Sequence, residues 1–146
     1  MNEIEKYYNK FNEDKNRKGL PKVKFLTIQG ETYGGTIQKR DYGPEHRLAV
    51  FNVIFGYSDG TVNRLNPDQM RTFFDVWNSE VGTEIETVPI IDTNYHLPSS
   101  CDEMLAYAHG ESKIDGKLRE GVVLRTLDGE RSFKAVDQEY LVQYHG

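Results

Sequence analysis

Residues 119–136 read REGVVLRTLDGERSFKAV, and this stretch decides the fold because it predicts a β-hairpin. The apolar run Val122–Leu124 fits a buried strand, and Ser132–Val136 carries a second short apolar segment that fits the partner strand. Between the two segments, Asp128-Gly129 is a dipeptide typical of tight turns. We therefore expect two antiparallel strands at the centre of the domain, with the rest of the chain forming walls around them.

Charged side chains bracket the strands of this hairpin. Glu120 precedes the first strand, Arg125 ends it, and Lys134 interrupts the second. A carboxylate flanked by fixed cations on one side of a hairpin suits a phosphate group and its metal ion. The alternative is an ordinary surface, because edge carboxylates are common and strand alternation can point a lysine such as Lys134 outward.

The composition is that of a soluble domain. Of 146 residues, 37% are hydrophobic and 28% are charged, which predicts a single domain over residues 1–146 with its own core. No apolar run approaches the roughly 20 residues that a membrane span needs, so we expect no membrane association. With 18 basic and 23 acidic side chains, the net charge of −5 argues against a surface that binds nucleic acid by charge alone.

Two features of the sequence predict a cytoplasmic location. The N-terminal segment MNEIEKYYNKFNEDK is polar and has no signal-peptide core. The single cysteine, Cys101, excludes an intrachain disulfide and fits a reducing compartment. Cys101 and the four histidines show no metal-ligand spacing, so we expect no zinc site.

Helices and strands are mixed along the rest of the chain. Apolar residues at helical spacing, together with capping residues, predict helices over residues 3–17, over residues 67–79, after a cap at Ser99 or Ser100, and within residues 137–144. Runs rich in β-branched and aromatic residues predict strands over residues 23–28, ended by Gly30, and over residues 48–55, 61–65 and 87–91. Because no regular βαβ alternation is present, we expect an α+β fold with a largely antiparallel sheet and flanking helices.

Two further polar residues are candidates for a role in chemistry. Glu31 lies in the glycine-rich segment GETYGGTIQ, where the backbone turns tightly or approaches a ligand closely. Its alternative role is that of a solvated turn residue. Asn52 is the one polar member of the apolar run LAVFNVIF, where a buried amide needs hydrogen-bond partners and is more often structural than catalytic.

Four segments, in this order, resemble the motifs of the covalent nucleotidyltransferases in the form typical of ATP-dependent RNA ligases. Residues 29–38 resemble motif III, and Phe51-Asn52-Val53 lies where the family usually has Phe-Asp-Ile. Residues 120–125 resemble motif IV, and Ser132–Val136 resembles motif V. The resemblance covers about residues 20–142. It implies a partial nucleotidyltransferase domain, ATP-grasp-like in fold, that corresponds to the C-terminal part of an RNA ligase adenylyltransferase domain.

The resemblance implies a role for each matching residue. Glu31 would hydrogen-bond the ribose of ATP or AMP, and Phe51 would stack on the adenine ring. Glu120 would lie near the phosphates and help to place Mg²⁺ or Mn²⁺. Lys134 would contact the α-phosphate, and Arg125 would lie near the same pocket. These residue types fit such roles, since aromatic rings stack on bases, lysine binds phosphoryl oxygens and Mg²⁺ takes oxygen ligands.

The sequence also departs from the family pattern. RNA ligases attack ATP with the lysine of a KxDG motif that precedes motif III, whereas no KxDG precedes Glu31 here. Lys113-Ile114-Asp115-Gly116 has this pattern but lies directly before motif IV, out of family order. An Asp-Gly pair beside a strand is a common turn signal, so we expect a turn here, with a relocated nucleophile as the alternative. Asn52 in place of the usual aspartate removes a charge.

The sequence thus favours an RNA-ligase-like nucleotidyltransferase domain that binds ATP or adenylate for joining RNA ends with a 3′-hydroxyl and a 5′-phosphate. Without the nucleophilic lysine, the chain would be a fragment or split half, inactive alone and completed by a second chain that carries KxDG. A strand missing from the sheet would leave an open edge for that partner or for self-association. The alternative is a non-catalytic module that binds nucleotides or RNA ends, or that serves as an interaction partner. A DNA ligase or capping-type enzyme is less favoured, because the GETYGGTIQ form is typical of RNA ligases.

Overall fold

A computed structural model describes residues 18–37 and 41–145 of the chain, together with Lys6, Asn9, Lys10, Asn12 and Glu13. The helix expected over residues 3–17 lies mostly outside this part, and the five described residues within it are helical. The chain divides into two compact units. The first contains residues 1–31 and 48–87, and the second contains residues 32–47 and 88–146. The expectation of a single domain over residues 1–146 stays a prediction.

The first unit is built on a sheet whose other strands all pair with β2 (Arg47–Tyr57). These strands are β1 (Val23–Tyr33), β3 (Val62–Arg64) and β4 (Glu86–Thr87). β3 is antiparallel to β2, whereas β4 is parallel to it. β4 ends at Thr87, so the strand expected over residues 87–91 is wrong beyond this residue. Pro89 has no N–H group to donate to a sheet.

β1 continues to Tyr33, so the expectation that Gly30 ends this strand is wrong. A Cβ atom at Gly30 would lie only 2.8 Å from the carbonyl oxygen of Ala49. The missing side chain therefore allows the backbones of β1 and β2 to approach closely, instead of ending β1. The chain turns after Tyr33, where Gly34 and Gly35 have positive φ values of 83° and 57°.

Helix α1 (Pro67–Val81) begins where the sequence predicts and packs on the sheet of the first unit. The Asn66 side chain accepts a hydrogen bond from the Gln69 N–H at 2.9 Å, and the Gln69 side chain accepts one from the Asn66 N–H at 2.9 Å. This reciprocal pair is a capping box that satisfies two backbone donors at the helix start. The buried core around the helix consists of Val23, Val50, Val53, Phe55, Met70, Phe74 and Trp77.

The second unit contains the hairpin that the sequence predicts, formed by β5 (Gly121–Arg125) and β6 (Ser132–Val136). The two strands are antiparallel, with Val122 opposite Ala135. Helix α2 (Cys101–Ala108) precedes the hairpin and is capped by Ser100, and helix α3 (Gln138–His145) follows it. A small core joins the hairpin to α2 and consists of Ala108, Val122 and Ala135 with Met104, Tyr107 and Leu124 around them.

These elements confirm the expected α+β class with mostly antiparallel strand pairing. In the described part of the chain, helices lie between and after the strands rather than in a repeated βαβ order. Within the residues that the structure describes, no helix is both long enough and apolar enough to cross a membrane.

Replacing Asn66 with alanine tests the capping box of α1. We expect Asn66→Ala to lower the free energy of unfolding by about 1 kcal/mol, because the backbone N–H of Gln69 at the helix start loses its acceptor, the Asn66 side chain. Urea unfolding followed by circular dichroism measures this loss. Asn63→Ala, at an exposed position on β3, is the matched control and should change stability by less than about 0.5 kcal/mol. Equal effects of the two substitutions would contradict the role of the cap.

Candidate functional site

Glu120 and Lys134 meet at the open end of the hairpin. Glu120 directly precedes β5, Lys134 lies in β6 opposite Val123, and Lys134 Nζ donates a hydrogen bond to Glu120 Oε1. Both side chains are about half exposed, at 47% and 48%. The structure thus brings together the two residues that the sequence assigns to motifs IV and V. An exposed ion pair of this kind contributes little to stability, so a ligand can displace either partner at small cost.

Arg125 lies at the other end of the hairpin, where it pairs with Ser132. Because side chains alternate along a strand, Arg125 and Val123 point to the same face, and Lys134 shares that face as the partner of Val123. Arg125 is exposed. The prediction that the hairpin presents its cations on one side is therefore confirmed for Arg125 and Lys134.

Asp137 connects the hairpin to both helices of the second unit. The carboxylate is almost fully buried, with 2% of the residue exposed. Its Oδ1 accepts hydrogen bonds from the N–H groups of Glu139 and Tyr140 at 2.7 and 3.0 Å, which caps α3. Its Oδ2 lies 2.8 Å from His109 Nδ1 at the end of α2. The backbone N–H of Asp137 donates to the carbonyl oxygen of Glu120 at 2.8 Å, so the same residue holds the start of β5.

The hydrogen bonds to Asp137 also change its acidity. Burial alone would raise the pKa of Asp137. The hydrogen bonds from the Tyr140 N–H, the His109 ring and the Glu139 N–H outweigh burial and hold the pKa of Asp137 below its usual range. The carboxylate is therefore ionised at neutral pH and acts only as an acceptor.

Arg119, the residue before Glu120, is bound to the end of α2 through its side chain. Its guanidinium donates to the carbonyl oxygens of Tyr107, Ala108 and His109, the last two at 2.8 and 2.9 Å. Carbonyl groups at a helix C-terminus lack partners within the helix, and the helix dipole favours a cation there. Arg119 thus anchors the backbone directly before Glu120, and the Asp137 N–H holds the carbonyl oxygen of Glu120.

Glu31 and Phe51 belong to the first unit, whereas Glu120, Arg125 and Lys134 belong to the second. Glu31 lies near the end of β1 and is exposed, and Phe51 lies in β2 and is half-buried. An exposed carboxylate can accept a hydrogen bond from a sugar hydroxyl, and a partly accessible ring can stack on a base.

Asn52 has the structural surroundings that a buried amide requires. Its Nδ2 donates to Gln29 Oε1 at 2.7 Å, and its Oδ1 accepts from Arg64 Nη1 at 2.9 Å. Arg64 lies opposite Ile54 on β3, so its side chain shares a face of the sheet with Asn52, two residues along β2. The expectation that Asn52 finds hydrogen-bond partners inside the sheet is confirmed.

The segment Lys113–Gly116 forms a turn, as expected. The Ser112 N–H donates to the Lys117 carbonyl oxygen at 2.7 Å, and the Gly116 N–H donates to the Ser112 carbonyl oxygen at 2.9 Å. Gly116 has a positive φ of 70°, which glycine adopts without strain. Lys113 is exposed on this turn.

The acidic, histidine and cysteine side chains of the described residues do not form a metal site by themselves. Within the described part of the chain, no group of three or more His, Cys, Asp or Glu side chains could hold a metal ion. Mg²⁺ in nucleotide sites is commonly held by one or two carboxylates together with phosphate oxygens and water. Glu120 is a half-exposed carboxylate that fits this kind of coordination.

Three of the residues that position Glu120 were not found by the sequence reasoning. Asp137 carried a usable signal, because an aspartate directly before a helix is a common N-cap. Arg119 and His109 carried none, because their partners lie 10 to 28 residues away and only the folded chain brings them together.

Comparison with known proteins gives matches at two levels. A model of the RNA ligase family matches residues 2–136. Three structures of Naegleria gruberi RNA ligase are similar: a mutant with ATP and Mn (29% identity, TM-score 0.66), the protein with PPi (30%, 0.62) and a mutant with AMP and Mn (29%, 0.63). Each comparison covers 82% of this chain and 34% of that chain, so this chain spans about a third of the ligase. A search of curated proteins gave no significant match.

Replacing Asp137 with asparagine tests the buried carboxylate. Because its pKa is lower in the folded than in the unfolded chain, its stabilising effect is complete above about pH 4 and disappears as the pH falls through the folded-state pKa. We expect Asp137→Asn to lower the free energy of unfolding by about 1–2 kcal/mol at pH 7 and to reduce the loss of stability between pH 5 and pH 3.

Urea unfolding at several pH values measures both effects. Glu139→Gln is the matched carboxylate-to-amide control, because Glu139 is exposed and its Oε2 lies 3.8 Å from His109 Nδ1. This control should cost less than about 1 kcal/mol. An acid-induced loss of stability that is the same in Asp137→Asn and the unsubstituted chain would contradict the proposed role of the carboxylate.

Proposed function

Because this chain belongs to the RNA ligase family, we propose that it provides the nucleotide-binding part of an ATP-dependent reaction that joins RNA ends. The observation that carries this proposal is the contact between Glu120 and Lys134, which unites the residues of two sequence motifs at one end of a hairpin. The proposal is also supported by the similar Naegleria gruberi structures, which contain ATP and Mn, AMP and Mn, or PPi. In adenylyl transfer, ATP is the substrate, AMP is the group transferred and pyrophosphate is the leaving group.

The nucleoside part of ATP would be bound by two residues of the first unit. We assign adenine stacking to Phe51, whose half-buried ring offers a flat apolar surface. We assign a ribose hydroxyl to the exposed carboxylate of Glu31, which accepts hydrogen bonds but cannot donate them when ionised.

The phosphates would be bound by the residues of the hairpin. Lys134 would contact the α-phosphate and stabilise the negative charge that develops there during nucleotidyl transfer. Glu120 would supply a carboxylate oxygen for Mg²⁺ or Mn²⁺, and a bound metal ion of this kind neutralises phosphate charge. Arg125 shares a face with Lys134 and would add positive charge near the phosphates.

The contact between Glu120 and Lys134 gives this site a further property. Without ligand, each of the two groups satisfies the other. A phosphate that draws Lys134 away leaves Glu120 available for a metal ion, and a metal ion at Glu120 likewise releases Lys134 for a phosphate. Binding of nucleotide and metal should therefore strengthen one another, by the same factor in both directions.

The nucleophile is proposed to come from outside residues 1–146. In the complete reaction, a lysine amine would attack the α-phosphorus of ATP and release pyrophosphate, and the AMP would then pass to an RNA 5′-phosphate before a 3′-hydroxyl displaces it. Lys113 is held in an exposed turn, which supports the turn interpretation of its KxDG pattern. The lysine would be supplied by a second chain or by further sequence of the same protein, docked on an open strand edge. Self-association through such an edge and a cytoplasmic location remain part of the proposal.

A second candidate function is a non-catalytic module that binds nucleotides or RNA ends. The observation that favours it is Asn52, a neutral residue in a motif that usually carries aspartate, with an amide held in a structural network. Both candidates require nucleotide binding. The ligase part predicts that an added protein carrying KxDG restores the joining of RNA ends. The non-catalytic module predicts that it does not.

Phe51→Ala tests the proposed adenine site. We expect this substitution to weaken ATP binding in the presence of Mn²⁺ by about 1–3 kcal/mol, because a base loses its stacking partner. Isothermal titration calorimetry measures the affinity. Phe25→Ala, on an exposed aromatic residue of β1, is the matched control and should leave the affinity unchanged. Unchanged affinity in Phe51→Ala would sink the assignment.

Intact mass spectrometry after incubation with ATP and Mg²⁺ or Mn²⁺ tests the source of the nucleophile. We expect no added AMP on the unsubstituted chain or on Lys113→Ala, because Lys113 is placed on a turn before the hairpin. An AMP adduct on the unsubstituted chain that disappears in Lys113→Ala would show instead that the out-of-order KIDG is the nucleophile.

A further inference from the structure

A row of three polar side chains crosses β1, β2 and β3 in the first unit. The central residue, Asn52, is 7% exposed and bonds to Gln29 on one side and to Arg64 on the other. Gln29 and Arg64 are both exposed. The buried amide therefore holds one nitrogen of an exposed guanidinium. A guanidinium has five N–H donors, so the others remain available for a further acceptor.

The charge of Arg64 is not balanced by a neighbouring carboxylate. Within the described residues, Arg64 makes no ion pair, and its hydrogen-bond partner is a neutral amide. The exposed arginine of α1 differs, because Arg71 pairs with Asp68 at 3.3 Å. An aspartate in place of Asn52, as the motif usually has, would place a carboxylate against Arg64. The asparagine of this chain instead keeps the guanidinium in position while leaving its positive charge available to an anion.

The row lies on the face of the sheet that carries Glu31. Gln29 and Glu31 are two residues apart on β1, so strand alternation places both side chains on the same face. This face thus presents a carboxylate that suits a ribose hydroxyl and a fixed guanidinium that suits a phosphate. Arginine is the residue that binds phosphate with two parallel hydrogen bonds.

We propose that Arg64, held by Asn52, binds a phosphate group of the nucleotide or of the RNA. Arg64 is the contact residue, and Asn52 is a positioning residue that acts through it. The proposal deepens the proposed function and rests on it, because both assume a ligand with phosphate groups. It gives a reason for the neutral residue at position 52: an aspartate would cancel the charge that the phosphate needs.

Arg64→Ala, Arg64→Lys and Asn52→Asp test the proposal, with Arg71→Ala as the matched arginine control. The probes are ATP with Mn²⁺, measured by calorimetry, and a labelled 5′-phosphorylated single-stranded RNA of about ten nucleotides, measured by fluorescence anisotropy. Circular dichroism checks that each variant is folded. Asn52→Asp retains a partner for Arg64, and the Gln29 amide can rotate to donate to the new carboxylate, so this variant should fold even if Arg64→Ala does not.

We expect Arg64→Ala and Asn52→Asp each to weaken binding of one probe by about 5–10-fold. The affinity of Arg64→Lys should lie between those of Arg64→Ala and the unsubstituted chain, and Arg71→Ala should bind as the unsubstituted chain does. If the phosphate belongs to RNA, the dependence of log K on log salt should also fall by about 0.7 in Arg64→Ala. A loss confined to ATP assigns the phosphate to the nucleotide.

Two results would overturn the proposal, and they differ in what they leave standing. If both probes bind Arg64→Ala and Asn52→Asp as well as the unsubstituted chain, while Phe51→Ala weakens ATP binding, Arg64 has no role and the proposed function stands. If the folded unsubstituted chain binds neither probe, the proposed function fails together with the phosphate site.

Discussion

The second unit depends on one buried carboxylate. Asp137 receives hydrogen bonds from the first turn of α3 and from His109 at the end of α2, while its own backbone N–H holds the carbonyl oxygen of Glu120. A buried carboxylate without such partners would be strongly unfavourable, so the three elements must be in place together. Arg119 adds a second connection, from the residue before Glu120 to the carbonyl end of α2. Glu120 is thereby fixed through its backbone, and its side chain is left at the surface to meet Lys134.

Burial separates the structural charges of this unit from the proposed functional ones. Asp137 is 2% exposed and its removal leaves buried donors without an acceptor, which makes it costly to change. Glu120 and Lys134 are about half exposed, and water screens their attraction, so their contact is weak and easily exchanged for a ligand. A binding site needs groups whose positions are fixed and whose interactions can be replaced. The backbone contacts of Asp137 and Arg119 supply the first property, and the exposure of Glu120 and Lys134 supplies the second.

The elements that the sequence predicted well are those fixed by local chemistry. The Asp128-Gly129 turn and the Asn66 cap both depend on neighbours within a few positions. The buried strand expected from the apolar run Val122–Leu124 is wrong at Val123, which is 62% exposed. The errors have non-local causes. Gly30 reads locally as a strand end, yet the closeness of Ala49 across the sheet explains the glycine and lets β1 continue.

The residues of the candidate site also differ in how far the sequence could predict them. Glu120 and Lys134 could be assigned to one hairpin from the sequence, but their side-chain contact could not, because the register pairs Lys134 with Val123 rather than with Glu120. Arg64 could not be found, because its link to Asn52 depends on the register of β2 and β3 and on a hydrogen bond between strands. Similarly, nothing near His109 in the sequence indicates Asp137, which lies 28 residues away.

Asn52 shows why residue type and neighbours have to be considered together. By itself, the change from the aspartate usual in the motif to asparagine suggests that the site has lost a charge and hence a function. With Arg64 as its partner, the same change raises the net positive charge on this face of the sheet, because a carboxylate would have neutralised the guanidinium. The amide still orients the guanidinium through its oxygen, while Gln29 takes the hydrogen bond that its nitrogen donates. Asn52 therefore holds the guanidinium of Arg64 by a hydrogen bond without adding a negative charge beside it, and the phosphate site proposed for Arg64 rests on this combination.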